Sequence, residues 1–359
     1  MTTSSRPARP ARPEGYKHPF LEAALGRTPA RSPVWIMRQA GRYLADYRRV
    51  RKTFPNFLEF CRTPDAVAEV TVQPVDQIGV DAAILFSDIL VLLPPMGLNL
   101  EFVEGEGPVV HNPVRDAATI AAMPGGKPGD DINTDLAYVF EGIRRTQADL
   151  QGYVPLIGFA GGPFTVASYM VEGGSSKELT KLKGLMFSDP KAYHELLSKL
   201  SNLTASYLIE QARTGADALT IMDSWAGYLG PRDYREFVLP HTRSVIERVK
   251  AACPGVPVIH YANGAPSLLG DFAGLGANVV GLDWRVELQD AFAAHPHQVF
   301  QGNLDPTFLF APVEKIRERV AEMKKVVGNR PHVWNLGHGI LPQTSPDHAR
   351  AFVDAVHEL

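Results

Sequence analysis

Two arginines four residues apart, Arg38 and Arg42, bracket Gln39, Ala40 and Gly41, a stretch whose small Ala-Gly pair lets backbone approach a ligand. Guanidiniums pair with carboxylates and phosphates in a two-pronged fashion, so this spacing suits an anion that carries several acidic groups. Further cations follow at Arg48, Arg49 and Arg51, where Arg48 and Arg49 read as a solvated helix face. Asp88 is an unusual companion for such a site. A carboxylate beside a polyanion is costly unless it accepts hydrogen bonds or faces developing positive charge, which points to a cationic transition state. Asp88 could instead cap the helix that follows it or pair with one of the arginines. Tyr169 could donate a hydrogen bond to a carboxylate or simply pack beneath a loop. The run Gly158-Phe159-Ala160-Gly161-Gly162-Pro163-Phe164-Thr165 carries little side-chain bulk and reads as room made for a large, flat ligand.

These residues fall in register with the apolar segments that must position them. Eight short apolar runs occur in order, VWIM (34–37), AAILF (82–86), VPLIGF (154–159), ALTIM (218–222), VPVIHY (256–261), VVGL (279–282), VFQG (299–302) and HVWNLG (332–337). Runs that are apolar throughout, without polar alternation, predict strands covered on both faces, as in a parallel sheet wrapped by helices. Helix punctuation lies between them. Thr63-Pro64-Asp65 opens a helix that ends near Gly79, with Pro74 inside it, and Ser188-Asp189-Pro190 opens one that stops at Gly215. The repeated alternation predicts an α/β fold, a single (β/α)8 TIM barrel. No G-x-G-x-x-G fingerprint follows the first strand, which argues against a dinucleotide-binding sheet.

A polar residue follows almost every strand: Arg38, Gln39 and Arg42, then Ser87 and Asp88, Asp223 and Ser224, His260 and Asn263, Asp283, Asn303 and Asp305, and His338. Strand C-termini converge on one mouth of a barrel, so these positions become site candidates together. Asp283 and Asp305 are read as helix caps. A β-hairpin insertion after the second strand is expected over NLEFVEGEGPVVHNPV (99–114), turning around Gly105-Glu106-Gly107-Pro108, its acidic tip unsuited to an anionic ligand. Residues 1–15, rich in Pro, Arg, Ala and Ser, read as a disordered tail, and residues 16–359 as the barrel domain.

At 359 residues and 45% hydrophobic content the chain can bury a large core, and its net charge of −3 offers no general attraction to nucleic acid or to an anionic membrane. No stretch approaches the roughly 18 apolar residues of a membrane span, and the tail's prolines oppose a transit helix, so a cytoplasmic protein is expected. Cys61 and Cys253 lack metal-ligand spacing and read as reduced bystanders.

Taken in order, PVWIMRQAGRYL, LFSDIL, GFAGGPFTVASYMVEGGSS, MDSWAGYLGP, DWRV, QGNLDP and NLGHGI resemble the uroporphyrinogen decarboxylase family from about Arg31 to the C-terminus. That resemblance implies a single barrel, commonly homodimeric. It would convert the four acetate arms of uroporphyrinogen to methyls without metal or organic cofactor. By the same resemblance Arg38, Arg42 and the backbone of Gln39, Ala40 and Gly41 would bind substrate carboxylates. Asp88 would accept hydrogen bonds from the pyrrole NH groups, and Tyr169, Ser224 and His338 would be further substrate contacts, with Asp88, Arg38 and Tyr169 the catalytic set. Met222-Asp223 stands where the family often has an aromatic and a glutamate. The chemistry is self-consistent, because a pyrrole protonated on carbon becomes an iminium-like electron sink and does for itself what pyridoxal phosphate does elsewhere. Arginine is too weak an acid to protonate the ring without direct contact or a water relay. Two other readings are weighed. A zinc-dependent methyltransferase of similar fold would place a Cys two residues after the strand histidine, where His260-Tyr261-Ala262 has alanine. A porphyrin carrier would not need Asp88, Tyr169 and His338 together.

Overall fold

The computed structural model describes residues 12–13, 15–103, 105–124 and 132–359. Most of the expected tail, residues 1–11 and 14, lies outside the described residues. Its end does not behave as a free tail. Arg12 donates to the Tyr153 carbonyl at 3.1 Å and its guanidinium lies over the Tyr153 ring.

Seven strands form one parallel, curled sheet. They are β1 (Ala83–Ile84), β4 (Leu156–Gly161), β5 (Ala218–Asp223), β6 (Val258–Ala262), β7 (Val279–Gly281), β8 (Val299–Leu304) and β9 (His332–Leu336), paired in that order. The remaining two, β2 (Leu100–Val103) and β3 (Gly107–Val110), form a separate antiparallel hairpin. It lies where the insertion is expected, but its turn comes earlier, since Gly107 and Pro108 already belong to β3.

The first apolar run is not a full strand. Only Val34 bridges, in parallel, to Trp334. Trp334 N donates to the Pro33 carbonyl at 2.9 Å, Trp35 N to the Trp334 carbonyl at 3.2 Å, and Asp81 N to the Val34 carbonyl at 2.7 Å. Residues 33–35 therefore touch both outer edges of the seven-stranded sheet. Pairing stops there because the Met37 amide turns to the Asn335 side chain at 3.0 Å and the chain then bends at Arg38.

Side-chain alternation divides the core into two clusters. Trp35, Met37, Ile84, Ile157, Phe159, Ala218, Met222, Ile259, Tyr261, Val279, Val299 and Val333 fill the concave interior of the sheet. The alternate residues pack against the surrounding helices. The interior is closed from below by the helix Pro19–Ala24, whose Phe20, Ala23 and Ala24 join the inner cluster, a plug that the sequence reading does not anticipate. The punctuation is otherwise as expected. The helix Pro64–Ile78 ends on Gly79 in the left-handed region at φ 77°, and Pro190–Thr214 begins with Asp189 accepting from Ala192 N at 3.1 Å. Among the described residues no helix is long and apolar enough to cross a membrane.

Phe20→Ala should open a cavity beneath the sheet and cost about 3–5 kcal/mol, seen as a lower urea midpoint; an unchanged midpoint would show that the plug bears no packing.

Candidate active site

At the C-terminal ends of the strands lies a cavity of about 460 Å³. Its lining unites Arg38, Ala40, Gly41, Arg42, Ser87, Asp88, Tyr169, Ser224 and His338. These side chains arrive from segments spread over some three hundred residues of sequence, and the shared mouth of the sheet is what gathers them.

The arginine loop is fastened on three sides. The Gln39 side chain, fully buried, accepts from Ile36 N at 3.1 Å and donates to the Ala82 carbonyl at 3.0 Å, tying the loop to the residue before β1. The Ile340 amide donates to the Met37 carbonyl at 2.9 Å, linking the loop to the segment after β9. Arg48 donates to the Arg42 carbonyl at 2.6 Å and the Tyr43 carbonyl at 3.1 Å. Arg48 is thus a brace for the loop and not merely a solvated cation, whereas Arg49, with Asp46 at 3.3 Å and Glu69 at 3.7 Å, matches the helix-face reading. Arg38 itself has φ 64°, a left-handed backbone that a side-chain-bearing residue adopts at a cost of order 1–3 kcal/mol. Beside it, a Cβ on Gly339 would lie 2.3 Å from Arg38 Cδ, so the glycine is what lets the guanidinium arm pass. Among the described residues no carboxylate lies within ion-pair distance of Arg38 or Arg42, which leaves both charges for a ligand.

Gln39 is the exception among the expected contacts. It does not line the cavity, and its amide already donates to the Ile36 carbonyl at 2.9 Å, so it supports the loop from behind.

Asp88 is partly buried, with one carboxylate oxygen accepting from Leu90 N at 2.8 Å. Burial raises its pKa to about 6, against the opposing pull of the Leu90 amide and of Arg38. It is neither a helix cap nor half of an ion pair. His338 is pushed down to about 4, first by burial and then by the charges of Arg38 and Arg285, so its imidazole is neutral near pH 7. Tyr169 meets Trp225 edge to face at 5.9 Å, and burial raises its phenol, which stays a hydrogen-bond donor.

Strand alternation removes two of the other candidates, and hydrogen bonds to neighbouring turns occupy the rest. Asp223 and His260 are fully buried on the helix side of their strands. Asn303 donates to the Asp283 and Val286 carbonyls at 2.9 and 2.7 Å. Asp305 caps Thr307 N at 2.8 Å as expected, but Asp283 caps no helix: it accepts from Arg285 N at 2.8 Å and from Gly264 N, joining the turns after β6 and β7. The glycines before Thr165 also need correction. Added Cβ atoms would strike Gln211 at Gly158, Val166 at Gly161 and Asp223 at Gly162, at 2.5, 2.7 and 2.8 Å. They make room for protein neighbours, and only Phe159 of that run reaches the cavity.

The apolar wall was not legible beforehand. Tyr47, Phe57, Phe86, Ile340 and Leu341 line the cavity, as do Phe102 and Pro108 of the hairpin. The acidic turn is unsuited to an anionic ligand, yet the strands of the hairpin form part of the wall. Nothing in the local pattern separates such residues from ordinary core.

The assembly defines a curled parallel α/β protein with an apolar-walled cavity that is cationic on one side and holds, among the described residues, one carboxylate, that of Asp88. Comparison with known proteins narrows the class. The family model for uroporphyrinogen decarboxylase matches residues 16–359, and the chain belongs to that family. A uroporphyrinogen decarboxylase of Nocardia farcinica is 49% identical over 348 residues, covering 95% of this chain and 96% of the relative. One of Carboxydothermus hydrogenoformans is 47% identical over 342 residues, with 95% and 96% covered. Among solved structures, a methyltransferase from Methanosarcina mazei superposes with a TM-score of 0.79 at 20% identity, covering 94% of this chain and 97% of that one, a likeness of fold.

Gly339→Ala should displace Arg38 and weaken binding of a polycarboxylate roughly tenfold or more, the worth of one charge-assisted hydrogen bond. Isothermal titration checks this; unaltered affinity would mean that Arg38 adjusts freely.

Proposed function

We propose that this protein decarboxylates the four acetate side chains of uroporphyrinogen III to methyls, giving coproporphyrinogen III and four CO2 without metal or organic cofactor, in porphyrin and haem biosynthesis. The observation that carries this reading is one desolvated aspartate, Asp88, sharing a cavity with two unpaired arginines in a chain of this family.

Each turn of the reaction begins with a proton added to the ring carbon next to the one that bears the acetate. The pyrrole becomes an iminium-like cation. The bond to CO2 then breaks, and its electron pair forms an exocyclic double bond that neutralises the ring. Protonation of that methylene carbon and loss of the first proton restore the pyrrole with a methyl group, for a net consumption of one proton per CO2 released. Asp88 is suited to stabilise the cation, because as a carboxylate it accepts from pyrrole NH groups in a site whose low polarity strengthens the attraction. Arg38 and Arg42, with the backbone of Ala40 and Gly41, are suited to hold carboxylate arms. Gln39 serves by keeping that backbone in place. Tyr169 donates to the reacting carboxylate, and Ser224 and neutral His338 supply further polar contacts. The apolar wall accommodates the macrocycle's hydrocarbon surface.

We also read the sheet as a (β/α)8 barrel in which residues 33–35 act as the eighth stave, an interpretation supported by their hydrogen bonds to both edges. Residues 16–359 then act as one domain, and family membership supports a cytoplasmic homodimer.

Anaerobic incubation with uroporphyrinogen, followed by chromatography of the oxidised products, should show eight-carboxyl substrate becoming four-carboxyl product. Asp88→Asn is expected to lower kcat by about 10²–10³, comparable to loss of one preorganised electrostatic contact. Binding without turnover would make the protein a carrier. The pH profile follows from the raised Asp88 pKa: the carboxylate form is the competent one, so kcat/KM should rise with pH through about 6. A flat profile from pH 5 to 8 would remove Asp88 from that role.

A further inference from the structure

Behind the cavity wall, one buried carboxylate joins the two elements that carry Tyr169 and Ser224. Asp223 is the last residue of β5 and is fully buried. One of its oxygens accepts from the Thr165 hydroxyl at 2.8 Å, and that hydroxyl in turn accepts from Trp225 N at 3.2 Å. Thr165 lies in the first turn of the helix Pro163–Glu172, and Tyr169 is one turn further along the same face. Trp225 directly follows Ser224, and its ring meets Tyr169 edge to face. A single hydroxyl therefore pins the helix of Tyr169 to the loop of Ser224. Gly162 is shaped to permit this, since a Cβ there would lie 2.8 Å from the Asp223 carboxylate.

Among the described residues the second oxygen of Asp223 has no hydrogen-bond partner, and neither nitrogen of fully buried His260 has one. The nearest approach between them, 3.9 Å from Nε2 to Oδ2, is a span that one shared water can bridge. Among the described residues the Tyr193 hydroxyl is likewise buried without a partner, and the buried Tyr234 hydroxyl lies beside that of Thr242. Burial, reinforced by the charge of Asp223, holds both phenols protonated and able to donate. A buried carboxylate is costly to keep beside aromatic packing, and a hydrophobic substitute would serve stability at least as well.

We propose that Asp223 is a positioning residue, acting through Thr165 to hold Tyr169 and Ser224 at one separation across the cavity. This rests on the reading given under Proposed function. Steady-state kinetics on uroporphyrinogen would compare wild type, Thr165→Val, Thr165→Ser, Asp223→Asn, Tyr169→Phe and the Thr165→Val/Tyr169→Phe double variant. Thr165→Val, nearly isosteric, should lower kcat about tenfold with KM within about twofold, as expected when one charge-assisted bond that orients a substrate contact is lost. Thr165→Ser should restore most of the rate, and Asp223→Asn, which keeps an acceptor for Thr165, should lose less than Thr165→Val. In the Tyr169→Phe background the effect of Thr165→Val should shrink, because the pin acts through Tyr169. An undiminished loss in that background, or a lower Tm with kcat unchanged, overturns the proposal. Hydrogen exchange over residues 163–172 and 224–229 needs no substrate and separates the two readings. Thr165→Val should raise exchange in both segments and Thr165→Ser should reverse it. If exchange behaves so while wild type shows no turnover, the activity reading fails and the pin stands; if neither segment responds, the pin fails whatever the turnover.

Discussion

The site depends on the hydrogen bonding of residues 33–35 to the two edges of a curled parallel sheet. Trp334 and Asp81 belong to opposite edges, and the same short segment bonds to both. Because the chain leaves this segment immediately into the arginine loop, those bonds set where Arg38 and Arg42 stand relative to Asp88, which follows β1, and His338, which follows β9. A shift of one residue in this pairing would exchange inward and outward side chains and carry Met37 and Trp35 out of the interior. Gln39, Asn335 and Arg48 add polar fastenings where the strand itself has ended, so a left-handed Arg38 is held without regular secondary structure.

The electrostatics follow from that placement. Desolvation drives Asp88 toward its neutral form, the Leu90 amide and the charge of Arg38 oppose it, and the net outcome is a carboxyl whose pKa is raised to about 6. Arg38 and Arg285 combine with burial to keep His338 neutral. Among the described residues the cavity therefore carries a surplus of positive charge on one wall and one weakened negative charge, complementary to a ligand that is anionic at its arms and becomes cationic at its centre. This complementarity links the polycarboxylate binding to the proposed chemistry, since the group that must be charged in the transition state is the one whose charge the protein leaves least satisfied beforehand.

Elements governed by local rules are legible in the sequence. Apolar runs bounded by helix punctuation located all seven paired strands, because burial on both faces writes itself into consecutive residues. The hairpin and the helix starting at Pro190 were equally legible from turn and cap residues. Reading failed where a residue's partner is remote. Glycines 158, 161 and 162 look like space for a ligand, but each yields to a protein neighbour, and for Gly158 and Gly162 that neighbour is Gln211 or Asp223, far along the chain. Asp223, His260 and Asn303 resemble mouth residues because they end strands, and Asp283 resembles a helix cap, yet the pleat turns Asp223 and His260 to the helices while Asn303 and Asp283 are taken up by bonds to neighbouring turns. Phe20 had no signal at all, since a plug is defined only by the hole it fills.

Residue type and short-range spacing thus carry the order of strands and helices and single out most of the polar residues that the fold gathers around one cavity. Tertiary structure alone decided which strand-end residues face the cavity, that Gln39 and Arg48 support the loop from outside it, and that hairpin and aromatic side chains complete its wall. It also set the pKa of Asp88 and the pin between Tyr169 and Ser224. Both arise from desolvation and contact among residues far apart in the chain, and no local pattern encodes the distance between them.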